Sequence, residues 1–231
     1  MGKDVIIACD FSSAEECLGF LSGFGERRPY VKIGMELFYA AGPDMVKRLK
    51  ERGHKVFLDL KLHDIPNTVG RSAAVLGKLG ADMLNVHAAG GSAMMRAARE
   101  GVESGGCGTL LIAVTQLTST SQSTLESELL IKLPIERVVE EYAKNAKSSG
   151  LDGVVCSPLE AGRVHESCGS SFITVTPGVR FPGGDVGDQS RITTPAMARE
   201  LGSDYIVVGR PITAASDPVA AYQRCIDEFV G

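Results

Sequence analysis

The chain has 231 residues, a formal net charge of −4, 44% hydrophobic and 23% charged residues, which is ordinary for a globular protein. The mild acidity and the lack of a basic stripe argue against a nucleic acid polymer as partner. The six cysteines show no C-x-x-C spacing, no signal peptide opens the chain, and no apolar run reaches the roughly 18 residues of a membrane span. We therefore expect a cytoplasmic protein with reduced thiols and no membrane partner.

Short apolar runs recur along the chain, each followed by a longer amphipathic stretch. The runs predict eight strands, at 5–10, 30–34, 55–61, 83–87, 109–115, 153–157, 172–176 and 205–209. The stretches predict eight helices, at 13–24, 43–52, 67–79, 92–104, 134–149, 159–166, 194–201 and 218–229. Ser12-Ser13 and Thr193-Thr194 are typical of helix starts, and the glycines at 53, 80, 150 and 202 are typical of helix ends.

This alternation predicts parallel β-α-β units. A single-domain α/β protein, a (β/α)8 TIM barrel over residues 1–231, fits the count and the length better than a doubly wound sheet. Two polar segments are long enough to be functional loops, residues 116–129 after strand 5 and residues 181–190 after strand 7. Three glycines in the second segment predict a mobile lid.

The octapeptide Asp59-Leu-Lys-Leu-His-Asp-Ile-Pro66 is the most informative stretch. Asp59 and Lys61 are two residues apart on a strand, so their side chains point to the same side. A solvated charge run is the usual interpretation of D-x-K-x-x-D. Here the charges lie where a buried strand ends, and the C-terminal strand ends of a barrel carry its active site. The pattern therefore indicates a catalytic site.

Other strand ends carry further polar residues. Lys32 would be strongly penalised if it were buried alone, so it requires a carboxylate, and Asp59 on the next strand is well placed. Asp10, at the end of strand 1, belongs either to the same site or to the N-cap of the helix that starts near Ser13. His87, at the end of strand 4, is more typical of a hydrogen-bonded core histidine than of a catalytic one.

The last two strands are each followed by an arginine. In Val207-Val208-Gly209-Arg210-Pro211 the glycine allows close backbone approach and the guanidinium can bind a phosphate through two hydrogen bonds. Arg180 follows strand 7, and phosphate sites in this architecture often use the loops after strands 7 and 8. The sequence contains no metal-binding pattern, nucleotide fingerprint or nucleophile elbow, so we expect a phosphate-directed site without metal.

The order and spacing of these residues resemble the orotidine 5′-phosphate decarboxylase family in its bacterial form, across essentially the whole chain. The resemblance lies in Asp10, residues 31–34, Asp59-x-Lys61-x-x-Asp64-Ile-Pro-Asn-Thr68, residues 117–119, residues 176–180, Gln189 and residues 208–211. It implies decarboxylation of orotidine 5′-monophosphate to uridine 5′-monophosphate, the last step of de novo pyrimidine synthesis, without metal or organic cofactor. It also implies a homodimer in which Asp64 and Thr68 reach into the neighbouring subunit's site.

The resemblance implies a role for each matched residue. Lys61 would stabilise a carbanion at C6 of the pyrimidine and protonate it, in an alternating chain with Lys32, Asp59 and Asp64. The remaining implied substrate contacts are Asp10 and Lys32 on the ribose, Thr118 on the pyrimidine, and Gly209, Arg210 and Gln189 on the phosphate with Arg180 nearby, completed by Asp59 and Thr68.

Two other functions remain open on the residues alone. One is a Mg²⁺-dependent enzyme on the same barrel, such as a 3-keto-gulonate 6-phosphate decarboxylase or a hexulose-phosphate synthase. Such enzymes need an extra acidic metal ligand early in the barrel, for which Glu36 is the only near candidate. The other is a non-catalytic barrel that senses a phosphorylated ligand.

Overall fold

The strands of this protein form a closed barrel of parallel neighbours. The structure, a computed structural model, describes residues 2–182 and 193–231. Within these ranges the strands are β1 Asp4–Ala8, β2 Tyr30–Gly34, β3 Val56–Leu62, β4 Met83–His87, β5 Leu110–Val114, β6 Gly153–Val155, β7 Ile173–Thr176 and β8 Tyr205–Val208. They pair in chain order, and β1 closes the barrel against β8. The predicted (β/α)8 barrel is confirmed.

Helices surround the barrel. In the described ranges they are α1 Ala14–Ser22, α2 Met35–Ala41, α3 Asp44–Glu51, α4 Pro66–Gly77, α5 Gly91–Gly105, α6 Gln122–Ser127, α7 Ile135–Ser148, α8 Pro158–Cys168, α9 Pro195–Glu200, α10 Arg210–Thr213 and α11 Pro218–Phe229. All eight predicted helices are present, and α2, α6 and α10 are additional. The prediction of a loop over 116–129 is wrong for α6, because Ser121 caps this helix by accepting from the Thr124 amide and Leu125 buries its side chain.

Helix ends follow the local sequence. The Ser13 hydroxyl caps α1 by accepting a hydrogen bond from the Glu16 amide, and Thr194 caps α9 in the same way through the Met197 amide. The four glycines predicted at helix ends, at 53, 80, 150 and 202, all have positive φ, between 77° and 90°. Because Ser13 is the cap of α1, Asp10 is left for another role.

The apolar core has two layers, one inside the barrel and one between the barrel and the helices. Strands β2, β3 and β4 contribute Tyr30, Phe57 and Met83 to the interior layer. Two residues further along each strand, on the same face, stand Lys32, Asp59 and Asn85. The interior of these three adjacent strands therefore changes from apolar to polar towards their C-terminal ends.

Helices α4 and α5 pack unusually close to one another through glycines. A methyl group added at Gly101 would overlap the Gly70 carbonyl oxygen, and one added at Gly105 would lie 2.9 Å from the Gly77 carbonyl carbon. This contact holds α4 in a fixed position beside β3. Asp64 lies in the segment that joins β3 to α4, and Thr68 lies in the first turn of α4, so the same contact also affects where these two residues lie.

Candidate active site

The C-terminal strand ends enclose a pocket of about 200 Å³. Its walls are charged near β2 and β3, apolar at the floor, and polar where residues 116–119 form the rim. The lining residues are Lys32, Phe57, Asp59, Lys61, Val114, Gln116, Leu117, Thr118, Ser119, Val155, Pro177 and Val207. A flat, partly apolar group with polar edges is the kind of ligand that such a pocket can hold.

Four side chains form what we call the charge cluster: Asp10, Lys32, Asp59 and Lys61. The Lys32 ammonium lies 2.9 Å from Asp10 Oδ1 and 3.3 Å from Asp59 Oδ2. The Lys61 ammonium donates to the other oxygen of Asp59, at 2.8 Å. Positive and negative groups therefore alternate, and the expected partnership of Lys32 with Asp59 is present, with Asp10 as a second partner.

The cluster shifts the pKa of its buried members. Burial opposes the charge on Lys32, but Asp59 and Asp10 outweigh it and hold the pKa of this lysine above its ordinary value. Burial likewise opposes the charge on Asp59, but Lys32 and Lys61, together with hydrogen bonds from Lys61 and Asn85, lower the pKa of this carboxyl. Both residues are consequently charged at neutral pH.

Gly34 gives this cluster the space that it needs. A Cβ atom at this position would lie 3.0 Å from Asp10 Oδ1 and 3.1 Å from Lys32 Nζ. Such distances are shorter than ordinary van der Waals contact, so any larger side chain would press on the Asp10–Lys32 ion pair.

Lys61 has an unusual backbone conformation, with φ of +51°. This left-handed region is uncommon for residues that carry a Cβ. It occurs where the β3–β4 register shifts, since Leu58 pairs with Leu84 whereas Leu62 pairs with Val86. Bulges of this kind commonly re-aim side chains beside active sites.

Asn85 completes the arrangement, and our sequence analysis did not single it out. Its side-chain oxygen accepts from the Lys61 backbone amide at 2.7 Å, and its side-chain nitrogen donates to Asp59 Oδ1 at 2.6 Å. Asn85 is fully buried. A signal was available, because an asparagine at an interior position of the apolar run Met-Leu-Asn-Val-His requires a buried polar partner.

Asp64 and Thr68 lie apart from the charge cluster. Both are exposed, and Asp64 Oδ1 accepts from the Ile65 amide at 2.6 Å within its own turn. Across residues 2–182 and 193–231 no ion pair joins Asp64 to Lys61. The alternating chain predicted from the sequence is therefore formed within one subunit by Lys32, Asp59 and Lys61, with Asp10 at its other end.

The predicted phosphate residues follow the two strands on the far side of the pocket. Pro177 and Val207 line the pocket, and Arg180 and Arg210 each follow one of them by three residues. Gly209 precedes α10, Arg210 is its exposed first residue, and the Arg180 Nη1 atom donates to the Val179 carbonyl. Gln189 and most of the predicted lid lie outside the described residues. On the rim, Thr118 is buried and lines the pocket.

His87 is half-buried, and its Nδ1 accepts from the Ala89 amide at 3.2 Å. Its ring stacks on His63 with centroids 5.3 Å apart. Burial, then the neighbouring charges of His63 and Lys61, lower the pKa of His87, so this ring is neutral at pH 7. Its hydrogen bond and its absence from the pocket lining support the structural interpretation of this residue.

The described ranges lack two kinds of feature, a metal-binding cluster and a membrane-spanning helix. No cluster of three or more His, Cys, Asp or Glu side chains suited to a metal ion occurs in residues 2–182 and 193–231. Over the same ranges, no helix combines the length and the apolar character needed to span a bilayer.

Known proteins resemble this chain along its whole length. Residues 3–225 match the profile of the orotidine 5′-phosphate decarboxylase / HUMPS family. A protein of Bacillus cytotoxicus named orotidine 5′-phosphate decarboxylase is 53% identical over 235 aligned positions, covering 100% of this chain and 99% of the relative. A Bacillus mycoides protein of the same name is 52% identical with the same coverage.

Solved structures agree in fold. The crystal structure of orotidine 5′-phosphate decarboxylase from Lactobacillus acidophilus has a TM-score of 0.88 and 47% identity, covering 99% of this chain and all of that one. A crystal structure from Geobacillus kaustophilus, titled as an uncharacterized conserved protein, has a TM-score of 0.85 and 49% identity, covering 97% of this chain and 99% of its own.

Proposed function

This chain belongs to the orotidine 5′-phosphate decarboxylase / HUMPS family, and on that premise we propose that it converts orotidine 5′-monophosphate into uridine 5′-monophosphate and carbon dioxide. It is a decarboxylase, a carbon–carbon lyase of pyrimidine nucleotide synthesis. The observation that carries the proposal is the Lys61 ammonium, which lines the pocket and is held by Asp59 at 2.8 Å. The proposed substrate is a small nucleotide with a flat base, which suits the pocket.

The reaction breaks the bond between C6 of the pyrimidine and its carboxylate carbon. The electron pair stays on C6 in an in-plane orbital, where the ring π-system cannot delocalise it. The Lys61 ammonium stabilises this developing negative charge and then transfers a proton to C6, so that one proton is consumed for each carbon dioxide released. Solvent returns the proton to Lys61 after the product leaves.

Electrostatic magnitudes decide which effect dominates. A carboxylate placed about 4 Å from the substrate carboxylate would repel it by roughly 4 kcal/mol at an effective dielectric near 20. Enzymes typically lower barriers by about 8–23 kcal/mol, so repulsion in the ground state is insufficient by itself. We therefore assign most of the rate acceleration to the preorganised charge cluster, which favours the carbanion without rearranging as the charge develops.

The site also suggests how the nucleotide is oriented. The base would lie over the apolar floor beside Lys61, with Thr118 at its polar edge. Asp10 and Lys32, which form one end of the charge cluster, are suited to bind the ribose hydroxyls. Gly209 and Arg210 would bind the phosphate, with Arg180 nearby and Gln189 as a further predicted contact. Phosphate binding so far from C6 would supply energy that organises the reacting end.

We further propose that two subunits share each site. Asp64 and Thr68 are exposed and lie apart from their own subunit's charge cluster, which is what a residue serving a neighbour requires. Exposed apolar side chains accompany them on segments that follow β2 and β3, namely Met35, Tyr39 and Ile65, of which Tyr39 is 73% and Ile65 66% exposed. These exposed apolar side chains would be available for contact with a second copy of the chain.

Mixing two inactive variants tests the shared site. If Asp64 serves the partner, Lys61→Ala and Asp64→Asn homodimers are each nearly inactive. Equal amounts give about half heterodimers, in each of which one site carries both changes and the other carries neither, so about a quarter of all sites regain the original composition. Recovery near that fraction is expected. Its absence, with subunit exchange demonstrated by mass spectrometry, would assign Asp64 to its own subunit.

For the Mg²⁺-dependent alternative, the one nearby candidate for the extra acidic ligand does not line the pocket. Glu36 is exposed in the first turn of α2 and is not among the residues that line the pocket. The joint family name alone does not separate the two reactions, but the curated relatives at 52–53% identity are named for the orotidine reaction. Independence from metal stays a prediction, for which an excess of EDTA is the test.

A spectrophotometric assay of orotidine 5′-monophosphate loss tests the proposed function. We expect turnover by the purified protein, unchanged by EDTA. Loss of activity in EDTA that returns with Mg²⁺ would favour the metal-dependent alternative. Binding of the nucleotide without turnover would favour a phosphate-ligand sensor.

A further inference from the structure

We propose that Asn85 is a positioning residue for Lys61, because its side-chain amide fixes both the backbone of this lysine and the carboxylate that pairs with its ammonium group. The proposal rests on the proposed function, since it concerns the placement of the group that would protonate C6. Asn85 is absent from the pocket lining and fully buried, so it acts through Lys61 and Asp59 without touching the substrate.

The bulge between β3 and β4 creates the need for such a residue. Between the paired positions Leu58–Leu84 and Leu62–Val86, β3 has three residues and β4 has only Asn85. The Lys61 amide consequently donates to the Asn85 side-chain oxygen, at 2.7 Å. An apolar side chain at position 85 would remove this acceptor next to a lysine whose φ is already +51°.

The same amide group controls the other end of Lys61. Asn85 Nδ2 donates to Asp59 Oδ1 at 2.6 Å, and that oxygen also accepts from Lys61 Nζ at 2.8 Å. The contacts form a closed ring that runs from the Lys61 backbone through Asn85 and Asp59 to the Lys61 ammonium. Both the origin and the tip of the lysine side chain are thereby fixed.

Only a neutral group with a donor and an acceptor fulfils this role. A carboxylate at position 85 would face Asp59 across 2.6 Å, and its neighbours would then be Asp59, Lys61, Lys32 beyond Asp59, and His87 two residues along β4. A protonated carboxyl, in contrast, has an O–H to donate to Asp59 and a carbonyl to accept from Lys61. An aspartate that replaces Asn85 should therefore position Lys61 when it is protonated and fail to do so when it is ionised.

The first experiment compares Asn85→Leu with Thr109→Val, by steady-state kinetics and thermal unfolding. Thr109 is a buried control at the opposite end of the barrel, where its hydroxyl donates to the Ala81 carbonyl at 2.7 Å. Misplacing a reacting group by about 1 Å costs on the order of 100-fold, so kcat of Asn85→Leu should fall at least that much. Its KM should stay within about threefold, since the phosphate and ribose contacts are unchanged. Thr109→Val should lose stability but keep its kcat.

The second variant, Asn85→Asp, keeps the size of the side chain. Its kcat is measured as a function of pH. Two carboxyl groups this close share a proton, so the new group should be protonated at mildly acid pH. The ratio of its kcat to that of the unsubstituted protein should rise about tenfold or more as pH falls from 8 to 5.5.

The outcomes separate this proposal from the function on which it rests. Inactivity of the unsubstituted protein contradicts the function itself. With that protein active, an unchanged kcat in folded Asn85→Leu, or a flat kcat ratio in Asn85→Asp, overturns the positioning role. Failure of both variants to fold also overturns it, because the amide would then be required for the barrel and not for the placement of Lys61.

Discussion

The two sides of the pocket are built differently. On the β1–β3 side, Lys32 and Asp59 of the charge cluster are buried, and the members of the cluster contact one another at 2.8–3.3 Å. On the β7–β8 side, Arg210 is exposed at the start of a four-residue helix, and Arg180 lies in the segment after β7. The ion pairs of the first side are already formed without a ligand, whereas on the second side Arg210 presents its charge to the solvent.

This difference assigns separate tasks to the two sides. A preorganised cluster stabilises a transition state without having to rearrange when charge develops. An exposed arginine such as Arg210 instead contributes when an anion arrives and is desolvated against it. Substitutions on the cluster side should therefore lower kcat, and substitutions on the arginine side should raise KM and lower kcat together.

The largest effect is expected for Lys61→Ala, which removes the stabilising charge and the proton donor at once. Acid–base groups alone contribute about 10²–10⁴-fold, so the rate should fall at least that far while circular dichroism shows an intact fold. Lys50→Ala is a matched control, since Lys50 forms a half-buried ion pair with Asp82 at 2.6 Å at the other end of the barrel. More than about a tenth of the rate remaining in Lys61→Ala would exclude the assigned role.

Arg210→Ala tests the opposite side. Loss of charge-assisted hydrogen bonds worth about 1.5–3 kcal/mol corresponds to a fall in kcat/KM of roughly 10- to 150-fold for the nucleotide. A truncated substrate without phosphate should be almost indifferent to the change. Arg137→Ala, on the outer face of α7, is the control. Equal loss for both substrates would remove Arg210 from phosphate binding.

Asp59→Asn should lower the free energy of unfolding as well as the rate, because it breaks the charge cluster. Removing one partner of a buried ion pair typically costs about 3–5 kcal/mol. Because the pKa of Asp59 is lowered from 3.8, its contribution is complete above that value and is lost as pH falls through the lower folded pKa. We expect the difference in free energy of unfolding between the unsubstituted protein and Asp59→Asn, measured in urea from pH 7 to pH 3, to become smaller at the acid end. If this difference in free energy of unfolding stays constant with pH, the folded protein does not stabilise the Asp59 carboxylate.

Gly34→Ala is expected to have the smallest effect. The added methyl group would displace the Asp10–Lys32 pair by a few tenths of an ångström, which should change kcat/KM by about three- to tenfold. Gly19→Ala provides the comparison, since a methyl group there meets nothing within 4 Å. If Gly34→Ala and Gly19→Ala have the same kcat/KM, the space that Gly34 leaves for the Asp10–Lys32 ion pair is not needed for activity.

The sequence predicts most of this fold because buried parallel strands are continuous apolar runs. The three additional helices lack the signals that such predictions use. Helix α2 follows β2 without a polar linker, α6 is almost entirely polar, and α10 has only four residues. In each case the local pattern is too short or too uniform to show a helical period.

The site was only partly predictable, for a physical reason. Lys32, Asp59 and Lys61 could be grouped because their strand positions fix the direction of their side chains. The φ of Lys61 and the role of Asn85 depend on a register shift between two strands, which no local pattern encodes. The partner of Asp64 stays a prediction, because it would belong to another subunit.

The left-handed backbone of Lys61 also has a consequence for the order of events in folding. An isolated β3 has no reason to adopt it, since such a conformation disfavours a residue with a Cβ by about 1–2 kcal/mol. The compensating bond comes from Asn85, 24 residues later in the chain. Early, local structure can therefore form with this residue in an ordinary extended shape. Catalytic competence would therefore arise in refolding only after β3 and β4 have paired.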